Sequence, residues 1–322
     1  MSGWDIFAFL MQQTMYFSIP LLIVALGGMF SERSGVWNIA LDGIMIIGAF
    51  TGTLFLNTME SSMSGQALLL LAILVSMATG ALFSVFHAYA AINLRADQTI
   101  SGTALNMFAP AFAIFTARMI QVNGVQQIHF LNTFRITKVP VLGDIPVLGR
   151  LFFQKCYITT YIGFAILIIA SVVLYRTRFG LRLRACGEHP QAADSVGINV
   201  YRMRYAGVLI SGALGGLGGL VFVVPTSTEF NATVSGYGFL AIAVLIFGQW
   251  KPSRIFMASL FFGFMKTVSA TYSVVPLLQS LKLGSDVYKM VPYIATLLVL
   301  AFTSKSSQAP KASGIPYDKG ER

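Results

Sequence analysis

The sequence predicts an all-α, polytopic transmembrane helix bundle of about nine spans, some of them short or broken, and three observations carry that expectation. The 322 residues are 56% hydrophobic and only 11% charged, against roughly 45–50% and 25% in soluble domains, and the mean hydropathy is +0.73. Long uncharged runs recur, from Ile6 to Ser31, Thr99 to Ala117, Tyr157 to Tyr175, Tyr205 to Thr228 and Phe230 to Trp250. A water-soluble core needs a polar covering, whereas lipid tolerates an apolar exterior. Finally, the formal charge of +10 gathers in short loops between apolar runs, which is the positive-inside pattern and not a nucleic-acid surface.

A crossing helix needs about 20 residues at 1.5 Å rise to pass about 30 Å of hydrocarbon. That ruler places spans at 6–29, 36–56, 68–92, 99–119, 157–175, 205–225, 237–249, 255–275 and 288–303. Those at 36–56, 99–119 and 237–249 are short or interrupted by polar residues. The first run has no basic region before it and no small-residue cleavage site, so it reads as a retained span. Arg176, Arg178, Arg182, Arg184, Arg202 and Arg204 crowd one loop, 176–204, which therefore belongs in the cytoplasm. Alternation then puts Arg95, the turn from Lys251 to Arg254 and the tail 304–322 on the same side. The N-terminus and the loop 121–156 fall outside, and residues 1–303 form the membrane domain.

The outer loop repeats itself as Pro140-Val-Leu-Gly and Pro146-Val-Leu-Gly, a spacing that favours turns. It reads as a docking platform for an outside partner or as a packed connector. Cys156 and Cys186 have no CxxC or metal spacing and are expected to be free, on opposite sides.

No GxxxxGK[ST] phosphate loop, HExxH, GxSxG or Cys/His metal cluster occurs in the sequence, so it carries no engine and no catalytic centre of a recognised kind. The work must come from a partner or a gradient. Within the basic loop, Pro190 to Val196 reads as a short helix, with Pro190 tolerated in its first turn and Gly197 as its stop. Ala192 and Ala193 would let another surface approach closely; the plainer alternative is an ordinary basic loop.

Asn38 and Asp42, at i and i+4, share a face if the stretch is helical. A carboxylate at membrane depth is expensive and usually faces the bundle interior or a water-filled cavity. The pair therefore lines a solute path, or Asp42 pins a broken helix end near Arg33. Gln98, Ser101 and Asn106 form a second polar group, as path lining or interhelical glue. His87, with no acid nearby in sequence, reads as packed and neutral. Lys266, about 18 Å along its helix from Arg254, either snorkels, pairs with Asp42 or faces a cavity. The overlapping spacings Gly212/Gly216 and Gly215/Gly219 indicate close helix packing, and Glu229 falls in an outer loop.

Five segments give the chain a family likeness: Ser31-Glu-Arg-Ser-Gly-Val-Trp-Asn-Ile-Ala-Leu-Asp-Gly-Ile-Met, the loop from Gly180 to Asn199, Tyr237-Gly-Phe-Leu-Ala-Ile-Ala-Val, Val291-Pro-Tyr-Ile-Ala-Thr, and Ala309-Pro-Lys-Ala-Ser-Gly-Ile-Pro-Tyr-Asp. Over nearly its whole length it resembles the permeases of bacterial ABC importers for nucleosides and simple sugars, relatives of the ribose and branched-chain amino acid permeases. The resemblance implies a multi-pass subunit of the inner membrane with no cofactor and no enzymatic activity of its own. It implies partners as well: an ATP-binding subunit, a second and commonly different permease, an external substrate-binding (lipo)protein and membrane lipid, but no nucleic acid. The stretch from Gly187 to Gly197 then looks like the coupling helix that sits in a groove of the ATPase, with Glu188, His189, Pro190, Ala192 and Ala193 at the contact. Two departures stand out. Relatives such as the ribose permeases begin with an extra span before the equivalent of Ile6, and they more often carry Gly and Glu where Ala40 and Asp42 stand. The rival from another class is an ion-coupled secondary transporter, which would show inverted repeats and several buried acids or histidines along an ion route; Asp42, His87 and Lys266 are scattered, and no convincing repeat is visible.

Overall fold

The computed structural model describes residues 3–121, 124–131, 134–275, 279, 284–303 and 309–320. Its helices are α1 (Gly3–Arg33), α2 (Leu41–Met59), α3 (Gly65–Ile92), α4 (Gln98–Ile120), α5 (Ile158–Arg176), α6 (Arg178–Glu188), α7 (Pro190–Ser195), α8 (Val200–Thr226), α9 (Tyr237–Phe247), α10 (Pro252–Thr271) and α11 (Ser285–Thr303). Each of the nine expected spans falls on one of them. Six described helices, α1 to α5 and α8, are long and apolar enough to cross a membrane. The expected 237–249 span shortens to the 11 residues of α9, about 17 Å of helix.

Two expectations need correction. The segment at 36–56 is not helical before Leu41, because residues 34–40 form two turns joined by a stretch without regular structure. The basic loop is also more ordered than expected: Thr177 caps α6 by accepting the Gly180 N–H at 3.1 Å, and α7 follows at once. There Gly197, at φ +83°, ends the short helix as its position in the sequence predicts.

Burial orders the bundle. The most apolar window of α1 is 94% buried and that of α8 78%, whereas α4 and α5 reach only 22% and 28%. The first two are thus the central pair, and the last two turn most of their surface away from the chain. Lipid tails are as apolar as leucine, so helices associate in a membrane through close packing of small residues. The glycine run of α8 supplies this toward two neighbours. A Cβ at Gly216 would lie 2.2 Å from the Ser76 carbonyl and one at Gly212 2.2 Å from Ser84 Oγ, both on α3; one at Gly219 would lie 2.0 Å from the Met45 carbonyl on α2.

Small ribbons qualify the all-α expectation. Strand β1 (Ile128–His129) pairs with β4 (Glu229–Phe230), and β2 (Ile136–Lys138) pairs with β3 (Gln154–Cys156). The sequence repeat in this region is also a conformational repeat. Val141 and Val147 take φ +66° and +67°, closing three-residue turns from Leu142 N–H to the Pro140 carbonyl at 2.7 Å and from Leu148 N–H to the Pro146 carbonyl at 2.8 Å. Cys156 and Cys186 are free and buried.

Candidate functional site

The site grows from the break between α1 and α2. Gly35, at φ +98°, turns the chain, and Ser31 Oγ ties the far side by donating to the Val36 carbonyl at 2.8 Å. The backbone from Trp37 to Ile39 and the first-turn N–H groups of α2 are left without helical partners inside an apolar bundle, where each unsatisfied group costs several kcal/mol. Side chains of neighbouring helices satisfy it. Gln98 Oε1 accepts the Trp37 N–H at 2.7 Å, and His87 Nε2 lies 2.6 Å from the Trp37 carbonyl. Asn106 works at both ends of its amide, donating to the Ile39 carbonyl at 2.8 Å and accepting the Gly43 N–H at 2.7 Å. Ser101 Oγ lies 2.9 Å from His87 Nδ1. Since a carbonyl only accepts, His87 carries a proton on Nε2, and the ring is packed within the bundle, as expected from the sequence.

The structure thus brings Gln98, Ser101 and Asn106 together on one break, with His87 added. Asn38 lies within the break, so it does not share a helical face with Asp42. It is buried and donates to Ser211 Oγ at 2.8 Å. Ser211 is eleven residues into α8, about 17 Å from its start, so the break reaches deep into the bundle. The Asn38 side-chain oxygen and Gln98 Nε2 are buried with no hydrogen-bond partner among the described residues. Ala40 sits at φ −71°, a conformation open to any residue, so the position where relatives carry glycine does not need one here.

Asp42 does pin a broken helix end, but not the one near Arg33. Its carboxylate accepts the Gly238 N–H at 2.9 Å, at the first turn of α9, where a negative charge meets the positive end of the helix dipole. A Cβ at Gly238 would lie 2.3 Å from the Asp42 Cα, which fixes glycine there. Lys266 faces a cavity of about 310 Å³ together with Ser235, Gly236, Phe239 and Thr296. Its ammonium lies 5.7 Å from the centre of the Tyr237 ring, and among the described residues it joins no ion pair, with Asp42 or any other acid.

At the basic end of the bundle, Arg33 reaches Glu188 Oε1 at 3.5 Å and the Trp250 carbonyl at 3.2 Å. The Trp250 ring N–H donates to Glu32 at 2.6 Å, so α1, α6 and the α9–α10 turn meet there. Of the residues expected at a partner's groove, His189 and Ala192 are exposed and Glu188 is half-buried. Pro190 is buried, as is Ala193, which packs with Cys186, Val200 and Tyr317. Burial pushes the Cys186 thiol up to about 11, against a smaller opposing pull from Arg204, so it stays protonated and inert at neutral pH. Arg204 corrects the reading of an open basic loop: it lies inside α8 at 1% exposure. Ser211 and Tyr237, the neighbours of Asn38 and Lys266, were not legible as site residues; a polar residue inside the glycine-rich span was the available signal for the first.

The family described as branched-chain amino acid transport system / permease component matches residues 10–300. The guanosine ABC transporter permease protein NupQ of Bacillus subtilis is 48% identical over 320 residues, 99% of each chain. The nucleoside ABC transporter permease protein NupC of Lactococcus lactis is 42% identical over 95% of each. A second Lactococcus lactis protein, the nucleoside ABC transporter permease protein NupB, is 23% identical over 94% of this chain and 84% of its own. No solved structure matches. A family match over residues 10–300, with relatives of such identity along nearly the full length, places this multi-pass membrane protein in the branched-chain amino acid transport system / permease component family.

Proposed function

We propose that the chain is the transmembrane permease subunit of an ATP-driven importer and that it carries nucleosides across the bacterial inner membrane. The observation that carries this reading is full-length similarity, at 48% identity, to a guanosine ABC transporter permease. The chain itself hydrolyses nothing: an ATP-binding subunit drives it, an external binding protein delivers the solute, and a second, homologous permease completes the pathway. The pair NupC and NupB from one organism, both similar to this chain, supports a heteromeric permease.

In this reading the chain crosses the membrane about nine times, with α9 to α11 as the last three spans. The N-terminus and residues 121–156 face out, and the tail 304–322 faces the cytoplasm. The loop 176–204 is the coupling loop, and its stretch from Glu188 through α7 enters the ATPase groove, with Glu188, His189 and Ala192 at the contact and the buried Pro190 and Ala193 seating the helix behind them. The solute path follows Asn38, Asp42, Gln98, Ser101 and Asn106. Two open hydrogen-bonding atoms at Asn38 and Gln98 favour this assignment; to it belongs the separate Lys266 cavity, lined by none of these five residues and in the range of small-molecule sites. A neutral solute rich in hydroxyls and ring nitrogens suits such amides and a single cation.

The test is uptake of radiolabelled guanosine into cells lacking their own nucleoside importers, with this chain, its paired permease, the ATPase and the binding protein supplied together. Uptake should be suppressed by excess adenosine or cytidine and not by glucose or galactose. Suppression by hexoses alone would replace the nucleoside with a sugar.

A further inference from the structure

The segment 309–320 is neither a span nor a free tail. Gly187 accepts the Ala312 N–H at 2.8 Å, and Gly35 accepts the Gly314 N–H at 3.3 Å. Glu188 Oε2 accepts the Lys311 N–H at 3.4 Å. The Ile315 carbonyl accepts from Arg204 Nη1 at 3.0 Å, and the same guanidinium lies 5.9 Å from the Tyr317 ring centre. Asp318 pairs with Arg95 in the α3–α4 loop, and Lys319 reaches Asp194 on α7 at 3.9 Å. One short strand of chain therefore touches α6, α7, α8, the α3–α4 loop and the α1–α2 break.

Two physical points make these contacts more than a tethered end. A helix of six residues such as α7 has no stability alone. Its inner face, at Ala193, packs in a cluster with Cys186, Val200 and Tyr317, so where α7 sits depends on the tail. The buried Arg204 guanidinium, in turn, finds its acceptor on the tail, and an uncompensated buried charge is strongly destabilising. Gly35 lies against that guanidinium: a Cβ there would be 2.9 Å from Nη2.

We propose that residues 309–320 are a strap that carries displacement of α7 to the 34–40 break, with Tyr317 and Arg204 as its positioning residues. The chain of contact runs from α7 through Tyr317, Ile315 and Gly314 to Gly35, then to the backbone that Gln98, His87 and Asn106 hold. This rests on the reading of α6 and α7 as the coupling loop.

The test uses the assembled transporter with its ATPase, comparing the native chain with Tyr317→Ala, with Asp318→Asn as a milder change, and with Ala192→Arg. The readouts are ATPase retention in a pull-down, ATP hydrolysed per nucleoside moved, and the alkylation rate of Cys186. Tyr317→Ala should keep the ATPase bound, raise the ATP used per nucleoside by about tenfold and speed Cys186 alkylation by about tenfold as the cluster opens locally. Asp318→Asn should move both readouts the same way by less. Fast alkylation with an unchanged ATP-to-nucleoside ratio would overturn the strap, and so would loss of the ATPase with Tyr317→Ala, which would make the tail a dock. Ala192→Arg separates the underlying reading: it should release the ATPase, and unchanged retention would remove the coupling loop and the strap with it.

Discussion

At the scale of single residues, the polar side chains of this bundle are explained first by the backbone they satisfy. Asn106 answers two groups of the break, the Ile39 carbonyl and the Gly43 N–H. Asn106→Ala should therefore cost about 1–3 kcal/mol for each orphaned group, seen as a lower unfolding midpoint of the purified complex; an unchanged midpoint would mean the break has other support. Asp42 differs, because its carboxylate holds the start of α9. Its presence at membrane depth was legible in the sequence, but its partner was not, since Gly238 lies 196 residues away and has no side chain to announce a contact. The shared face of Asn38 and Asp42 failed for a related reason. It assumed a helix through 38, whereas side chains from α3 and α4 make a non-helical backbone affordable there. Lys266→Met should raise the KM for nucleoside uptake while Lys266→Arg keeps it near the native value; equal transport by both would exclude the cavity from the path.

At the scale of elements, close packing of α8 was readable from glycine spacing alone, and the structure divides the two spacings between α3 and α2. Gly216→Leu should abolish assembly of the bundle, measured as loss of monodisperse protein after detergent extraction, because the Ser76 backbone cannot retreat; a well-behaved Gly216→Leu protein would contradict that packing. Helix α6 was not readable, since a ruler built on uncharged runs passes over an arginine-rich helix. The tail was not readable either: it is polar and without periodicity, and Tyr317 is its single aromatic residue. Its ion pair also sets a pH response. The Gly320 N–H, and after it Arg95, hold the Asp318 carboxyl below its usual value of 3.8. This contribution is fully present above that value and disappears as pH falls through the lower folded one. Cleavage of the tail by an acid-active protease should accelerate only below about pH 4, and an unchanged rate there would show that Asp318 does not hold the tail.

At the scale of the whole molecule, composition and the clustering of arginines were enough to read a polytopic bundle, because lipid imposes helix length and loop charge so strictly. What the composition left open was how the spans are cut. Residues 34–40 and the 11-residue α9 are departures from a full crossing, and Asp42 joins them. A bundle with interruptions at its centre and a basic loop strapped to one of them is built to be moved from outside itself. The most direct measurement of that idea is nucleoside uptake into proteoliposomes holding both permeases and the ATPase, with the binding protein supplied outside and ATP inside. Uptake should require ATP hydrolysis by the partner and persist when ionophores collapse every ion gradient. Uptake by the permeases alone, abolished by those ionophores, would show that an ion gradient and not a partner does the pushing.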